Sequence, residues 1–365
     1  MKKVYSIGEI KKLPESEISF DGEIEAEFLE KKFNESLEQI ARDAELPGFR
    51  KGKAPTDLVL KRIGDMSVLD DASEKALDSV YADMIEETKL RVIGRPKVVI
   101  TKIARGNPLG FTITIAILPE IKLPDYKKIS KEIMNKEEAL EVSDDEIENT
   151  LLEIRKHHFH NEQHKNGVWT DHDHGEIKKE DLPEFTDELA KKFGQFEGVL
   201  DMKNKLRENI LKEKTLRLKE KKRTAIIETI IEKIEIEVPR ILVDNELDTM
   251  LTQFEGDITK SGLTFDDYLS HIKKTTEDLR LEWKDTAIKK SKAQMILAAI
   301  AAKEKISPDA ETIRKETEKL LIVYPGADPV SARSYVAMHL ANEKVFSFLE
   351  GKKETEGEQK LTEQE

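Results

Sequence analysis

Residues 16–55 read SEISFDGEIEAEFLEKKFNESLEQIARDAELPGFRKGKAP. The first ten residues are strand-like. From there Leu29, Phe33, Leu37, Ile40, Ala41 and Ala44 recur at four- and three-residue steps, the stripe of an amphipathic helix. Pro47-Gly48 ends that helix and opens a loop containing a second glycine, Gly52, and a closing proline, Pro55.

Downstream, Pro55 and TDLVLKRIGD predict a short helix, and Val68, Leu69, Ala72, Ala76, Val80 and Met84 a longer one. RPKVVITKI and GFTITIAIL are β-branched runs joined by ARGNP, which predicts a hairpin. A strand, then helices, then paired strands point to helices on one face of a small antiparallel sheet, an α+β unit over residues 1–118.

Pro119 and Pro124 break regular structure and place a boundary there, opening a linker and helix over residues 119–156. VSDDEIENTLLEIRKHH resumes a helix behind a Ser143 cap, with Glu146 three residues on. Residues 157–182 carry six of the eight histidines without periodicity and read as a connector. Beyond them, residues 182–350 are almost wholly helical. The expected starts are Pro239, Thr275 or Thr276, Ser307 with Pro308 at the first helical position, and Asp328; the last helix ends at Gly351. The tail, 351–365, is polar and is expected to be disordered.

Composition narrows the function. Of 365 residues, 61 are Lys or Arg and 74 Asp or Glu, a net charge of −13, so the chain as a whole repels nucleic acid and anionic membranes. Any contact with a polyanion must be local, which conflicts with a general RNA-binding role. There is no cysteine, and hence no disulfide, thiolate metal site or cysteine nucleophile. No Gly-rich phosphate loop, G-x-S-x-G elbow or H-E-x-x-H pair supports an enzyme. Neither a signal-peptide core nor a membrane span is present, and the expected location is cytoplasmic, without membrane contact.

Two segments hold candidate sites. In the loop, Phe49, Arg50, Lys51 and Lys53 stand between two bends, with Arg42, Lys61 and Arg62 on the flanking helices. Such a tip has the chemistry to grip a phosphate backbone or an acidic protein surface while Phe49 fills an apolar notch; the alternative is that Phe49 folds into the core. In the connector, His157, His160 and His164 would share one face of a continuing helix. With His172 and His174, interleaved with Asp171 and Asp173, they are weak candidates for Zn²⁺, Ni²⁺ or Cu²⁺; the alternative is a solvated polar linker.

PGFRKGKAP resembles the ribosome-binding signature of trigger factor, a bacterial chaperone family, which runs roughly G-F-R-x-G-K-x-P. Gly48, Phe49, Arg50, Gly52, Lys53 and Pro55 all match. RVIGRPKVVI, ILPEIKLPDYKKI, DLPEFTDELAKKFG, IEVPRILVDNELDTMLTQFE, LTFDDYLSHIKKTTEDLRLEW and MILAAIAAKEKI are similar to further family segments, so the resemblance covers most of residues 15–350.

The resemblance implies an α+β N-terminal ribosome-binding domain followed by a mostly α-helical C-terminal chaperone domain with arm-like helices. It implies docking through Gly48, Phe49, Arg50, Lys51, Gly52, Lys53, Pro55 and Arg42 on the large ribosomal subunit, at a ribosomal protein and rRNA near the exit tunnel. Nascent or unfolded polypeptides would be the substrates, no cofactor is implied, and a homodimer is an expected form off the ribosome. Met250, Leu251, Phe254, Ile258, Leu263, Phe265, Tyr268 and Tyr324 are candidates to line a cradle; each is also a candidate for ordinary helix–helix core.

The chain departs from the family pattern in its middle. The stretch from His157 to Asp181 replaces an FKBP-like prolyl isomerase domain. A barrel of about five strands of about five residues would consume it before any turn was built. The pocket of such a domain is lined by aromatics, and only Phe159 and Trp169 are present here. The implied protein is a chaperone without isomerase activity. The remaining alternatives are a ribosome-independent holdase or assembly chaperone, and a metal-binding protein or metal hydrolase acting through the histidines.

Overall fold

In the computed structural model, residues 3–165, 177, 179 and 182–352 are described. Chain contacts divide them into two compact units. One comprises Met1–Leu123 with Lys233–Lys305, the other Pro124–Glu232 with Ile306–Glu365.

The first unit opens with a five-stranded antiparallel sheet, β1 (Tyr5–Ile7), β2 (Lys11–Leu13), β3 (Glu17–Ile24), β4 (Val92–Lys102) and β5 (Leu109–Ile117), in the order β1-β3-β5-β4 with β2 also on β3. β1 and β2 are three residues each and were not anticipated. β2 is exposed throughout and shows no alternation to detect. Along β3, Ile18, Phe20 and Ile24 are buried while Asp21 and Glu23 face solvent. The register Ile18↔Ile115, Phe20↔Ile113 and Gly22↔Phe111 carries that apolar face onto β5.

Three helices follow β3, α1 (Ala26–Asp43), α2 (Thr56–Ile63) and α3 (Asp65–Thr88). Leu29, Phe33, Val59, Ala72, Ala76 and Met84 join Phe20 and Phe111 in one core. Alanine at positions 72 and 76, both fully buried, keeps the α3 surface low enough for α1 to approach. Truncating Phe33 there would cost about 3–5 kcal/mol. The helices-on-sheet expectation holds.

The rest of this unit is α8 (Arg240–Lys260), α9 (Phe265–Ile272) and α10 (Thr276–Glu304). α8 and α10 pack through buried Val243, Leu247 and Ala287, with Met250 and Trp283 at the margin. α10 begins at Thr275, whose hydroxyl accepts from the Asp278 amide at 3.2 Å while the Asp278 carboxylate accepts from the Thr275 amide at 2.8 Å.

The second unit is helical: α4 (Tyr126–Met134), α5 (Asp144–Lys165), α6 (Asp187–Lys192), α7 (Val199–Glu232), α11 (Ala310–Val323) and α12 (Pro329–Leu349). The Ser143–Glu146 capping box forms as expected, at 3.0 and 3.2 Å. Three local expectations are corrected. α4 follows directly on Pro124, nucleated by the Asp125 side chain accepting from the Lys128 amide. α11 is capped by Asp309 rather than Ser307, because the Asp309 carboxylate reaches the Thr312 amide at 2.8 Å. α5 does not stop at His157 but runs to Lys165, held by Ile154 on the core of Ile147, Leu151 and Ala190 and by the edge of His158 against Phe193.

Arg223 of α7 is buried between α12 carboxylates, with Nη1 2.9 Å from Glu343 and Nε 2.6 Å from Glu350 at the α12 C-cap. Burial alone would lower the affinity of this guanidinium for its proton, but the hydrogen bonds from Glu343 and Glu350 outweigh it and hold the pKa above the ordinary arginine value. Among the described residues no helix is long and apolar enough to cross a membrane.

Candidate functional site

The loop after α1 is fastened at both ends and free in the middle. Leu46 packs against the first-unit core and Ala54 is buried in it, so the seven residues between them are anchored by apolar contacts rather than by their charges. Backbone bonds close two tight turns: the Phe49 amide donates to the Leu46 carbonyl at 3.0 Å, and the Lys53 amide to the Arg50 carbonyl at 2.9 Å.

Both bends need glycine. Gly48 has φ +87° and Gly52 φ +72°. At Gly52 a Cβ would also lie 2.7 Å from the Arg42 carbonyl oxygen, so the loop can press against the end of α1 only without a side chain there. At Gly48 the space is open and only the backbone angle demands glycine.

Phe49 is therefore presented outward. It is 43% exposed and is not in the core, which sets aside the folded-in alternative. Arg50, Lys51, Lys53 and Pro55 are exposed beside it. Among the described residues no carboxylate lies within ion-pair distance of Arg50, Lys51 or Lys53; Arg42 has Glu38 at 3.8 Å. Lys61 and Arg62 occupy the last turn of α2, where cations complement the helix dipole. An exposed aromatic ringed by uncompensated cations in an acidic chain suits an acidic or phosphate-bearing partner with an apolar notch.

The cradle candidates separate into two groups. In the first unit, Phe254 is the hub of an aromatic cluster, edge-on to Phe265 at 6.2 Å, Tyr268 at 5.4 Å and Trp283 at 5.3 Å between ring centroids. Leu251 is buried, Met250 packs on the α8–α10 core, Ile258 is half-buried, and Leu263 is 47% exposed. Trp283 was missed in the sequence reading, although it stands four residues after Leu279 on the α10 stripe. In the second unit, Tyr324 is 60% exposed at the α11–α12 turn with Ile322, Val323 and Val330 exposed around it. The run LLIVYPGADPV is the signal that would have found them: five apolar residues ending at Pro-Gly with a single charge.

Of the histidines, His157, His160 and His164 lie on α5, and no cluster of three metal-ligating side chains forms among the described residues. Trp169, Asp171, His172, Asp173, His174 and the tail from residue 353 lie outside the described residues.

Comparison with known proteins covers most of the chain. Residues 8–154 match the family model described as bacterial trigger factor protein, and residues 198–355 match that of the trigger factor C-terminus. A trigger factor of Shouchella clausii is 25% identical, the alignment covering 83% of this chain and 86% of that one. Trigger factors of Clostridium kluyveri and Geobacter sulfurreducens are 23% and 26% identical, covering 93% and 95% of this chain and 97% of each relative. A solved structure of the trigger factor chaperone aligns over 94% of this chain and 99% of its own at 18% identity, with a TM-score of 0.47.

Proposed function

The chain belongs to the bacterial trigger factor family of ribosome-associated chaperones, and from that membership we propose that it docks at the ribosomal exit tunnel through the loop of Gly48 to Pro55 and shields nascent polypeptides without ATP. The observation that carries the reading is the presentation of Phe49: exposed between two glycine bends, with Arg50, Lys51 and Lys53 around it and no acidic partner for them among the described residues.

Docking divides into two physical parts. Phe49 enters an apolar spot on a ribosomal protein, and the cations pair with its acidic residues and with nearby rRNA phosphates. Because the remaining chain is acidic, these few cations supply the attraction, and binding weakens steeply as salt rises. The exposed apolar side chains at the α11–α12 turn and the aromatic cluster around Phe254 then hold emerging apolar segments by dispersed, adaptable contacts.

The test is co-sedimentation with bacterial ribosomes at several salt concentrations, comparing the natural chain with a Phe49→Ala, Arg50→Ala, Lys51→Ala variant. Loss of pelleting in the variant alone supports docking through the loop. Equal behaviour of the two removes the loop as anchor and leaves a holdase that works off the ribosome.

We further propose that the protein has no prolyl isomerase activity. Residues 155–197 separate the two matched regions, and their described part is the end of α5, α6 and short connections. A proline-peptide isomerisation assay with the purified chain is expected to give the uncatalysed rate; catalysis would overturn this part alone.

A further inference from the structure

The structure brings two imidazoles together on α5. His160 and His164, four residues apart, meet on one face of the helix with ring centroids 4.6 Å apart and ring planes tilted by 56°. Two imidazoles that share one ion in adjacent positions, each through a nitrogen about 2.0–2.1 Å away, hold their ring centroids about 4.5–5 Å apart. The observed separation falls in that range, on residues that the helix already places on one face.

The neighbouring histidines are engaged differently. His158 points to the other side, edge-on to Phe193 at 4.8 Å, with Nε2 3.8 Å from the Glu162 carboxylate. His157 lies one turn before His160, with its Nδ1 3.2 Å from the Asn161 side-chain amide. The pair is thus a geometric feature, not only a matter of histidine content.

We propose that His160 and His164 form a two-imidazole site for a divalent transition metal of the Ni²⁺, Cu²⁺ or Zn²⁺ class, with water in the remaining positions. Imidazole is a borderline ligand that suits these ions and not Mg²⁺ or Ca²⁺. An ion held by residues one turn apart cross-links the last turns of α5, so binding stabilises the helical form of the stretch that follows the core contact at Ile154. The site owes nothing to the docking loop and stands or falls independently of ribosome binding.

The test is calorimetric titration of the untagged full chain with Ni²⁺ and, separately, Zn²⁺. Substituting a ligand is expected to cost at least the tenfold to hundredfold that loss of an outer-shell partner typically costs a metal site. His160→Ala and His164→Ala should each show this loss, while His158→Ala keeps the natural affinity. Nuclear magnetic resonance of the unsubstituted chain gives a second reading: substoichiometric Cu²⁺ should broaden the His160 and His164 ring signals before that of His158. Undiminished affinity in His160→Ala or His164→Ala, or loss of binding only in a His172→Ala, His174→Ala chain, would overturn the proposal.

Discussion

The backbone amide of Glu15 donates to the carboxylate of Glu237 at 2.6 Å, across more than two hundred residues of chain. Glu15 and Ser16 form the β2–β3 turn with φ +60° and +55°, a left-handed pair usually made by Asn-Gly. Ser16 adds a second tie, its hydroxyl donating to the Glu237 carbonyl at 3.0 Å. The strained turn is therefore used as a socket for the segment entering α8, within one compact unit.

Glu237→Ala should release that socket. The Glu15 amide loses its acceptor, and first-unit stability falls by about 1.5 kcal/mol, the lower end of the range for a hydrogen bond to a charged group, because the bond is exposed. Amide hydrogen exchange is the readout: faster exchange at Glu15, with the sheet core at Phe20 and Ile113 unchanged, is expected.

The two loop glycines should differ. Gly48→Ala meets open space and pays only for its positive φ, about 1–2 kcal/mol, whereas Gly52→Ala adds a clash with the Arg42 carbonyl. Gly52→Ala should weaken ribosome co-sedimentation more than Gly48→Ala at one salt concentration, although neither removes a charge.

Arg223→Ala leaves the Glu350 carboxylate, whose side chain is 3% exposed, without its closest partner. Lys352 at 3.5 Å and Lys219 at 3.9 Å still face that carboxylate, so the cost falls below the roughly 3–5 kcal/mol of a buried charge left wholly unpaired. Urea denaturation followed by helical circular dichroism should show the loss. Adding Glu350→Gln should recover part of it, because it removes a buried charge that has lost its closest cation.

Acid should loosen the start of α10. The amide and hydroxyl of Thr275 hold the Asp278 carboxyl below its ordinary pKa. A lowered folded-state pKa means that this stabilisation is complete above the unfolded value of about 3.9 and is lost as pH falls through the folded one. The stability gap between the natural chain and Asp278→Asn should therefore be widest near neutrality and narrow progressively below about pH 3.9, as measured by thermal unfolding from pH 7 down to pH 2.

Much of this architecture is carried by local chemistry and is legible in one dimension. The α1 stripe, the β4–β5 hairpin, the Ser143 and Thr275 caps and the glycine bends of the loop each depend on residues a few positions apart, and all appear where residue type and spacing place them. Most of the misread places depend on something further away or on a competition. α5 continues past His157 because Phe193, over thirty residues downstream, packs on His158. β1 and β2 exist because β3 offers them a partner edge. Asp309 prevails over Ser307 as a cap because its carboxylate lies within reach of the Thr312 amide.

The loop shows the same division at its sharpest. Its residue types settled in sequence that it bends twice and carries cations around an aromatic ring. Whether that ring lies in the core or in solvent was open, because a phenylalanine between glycines suits either. Tertiary packing decided it: Leu46 and Ala54 pack into the core on either side, the end of α1 lies against Gly52, and Phe49 is left in solvent outside the core.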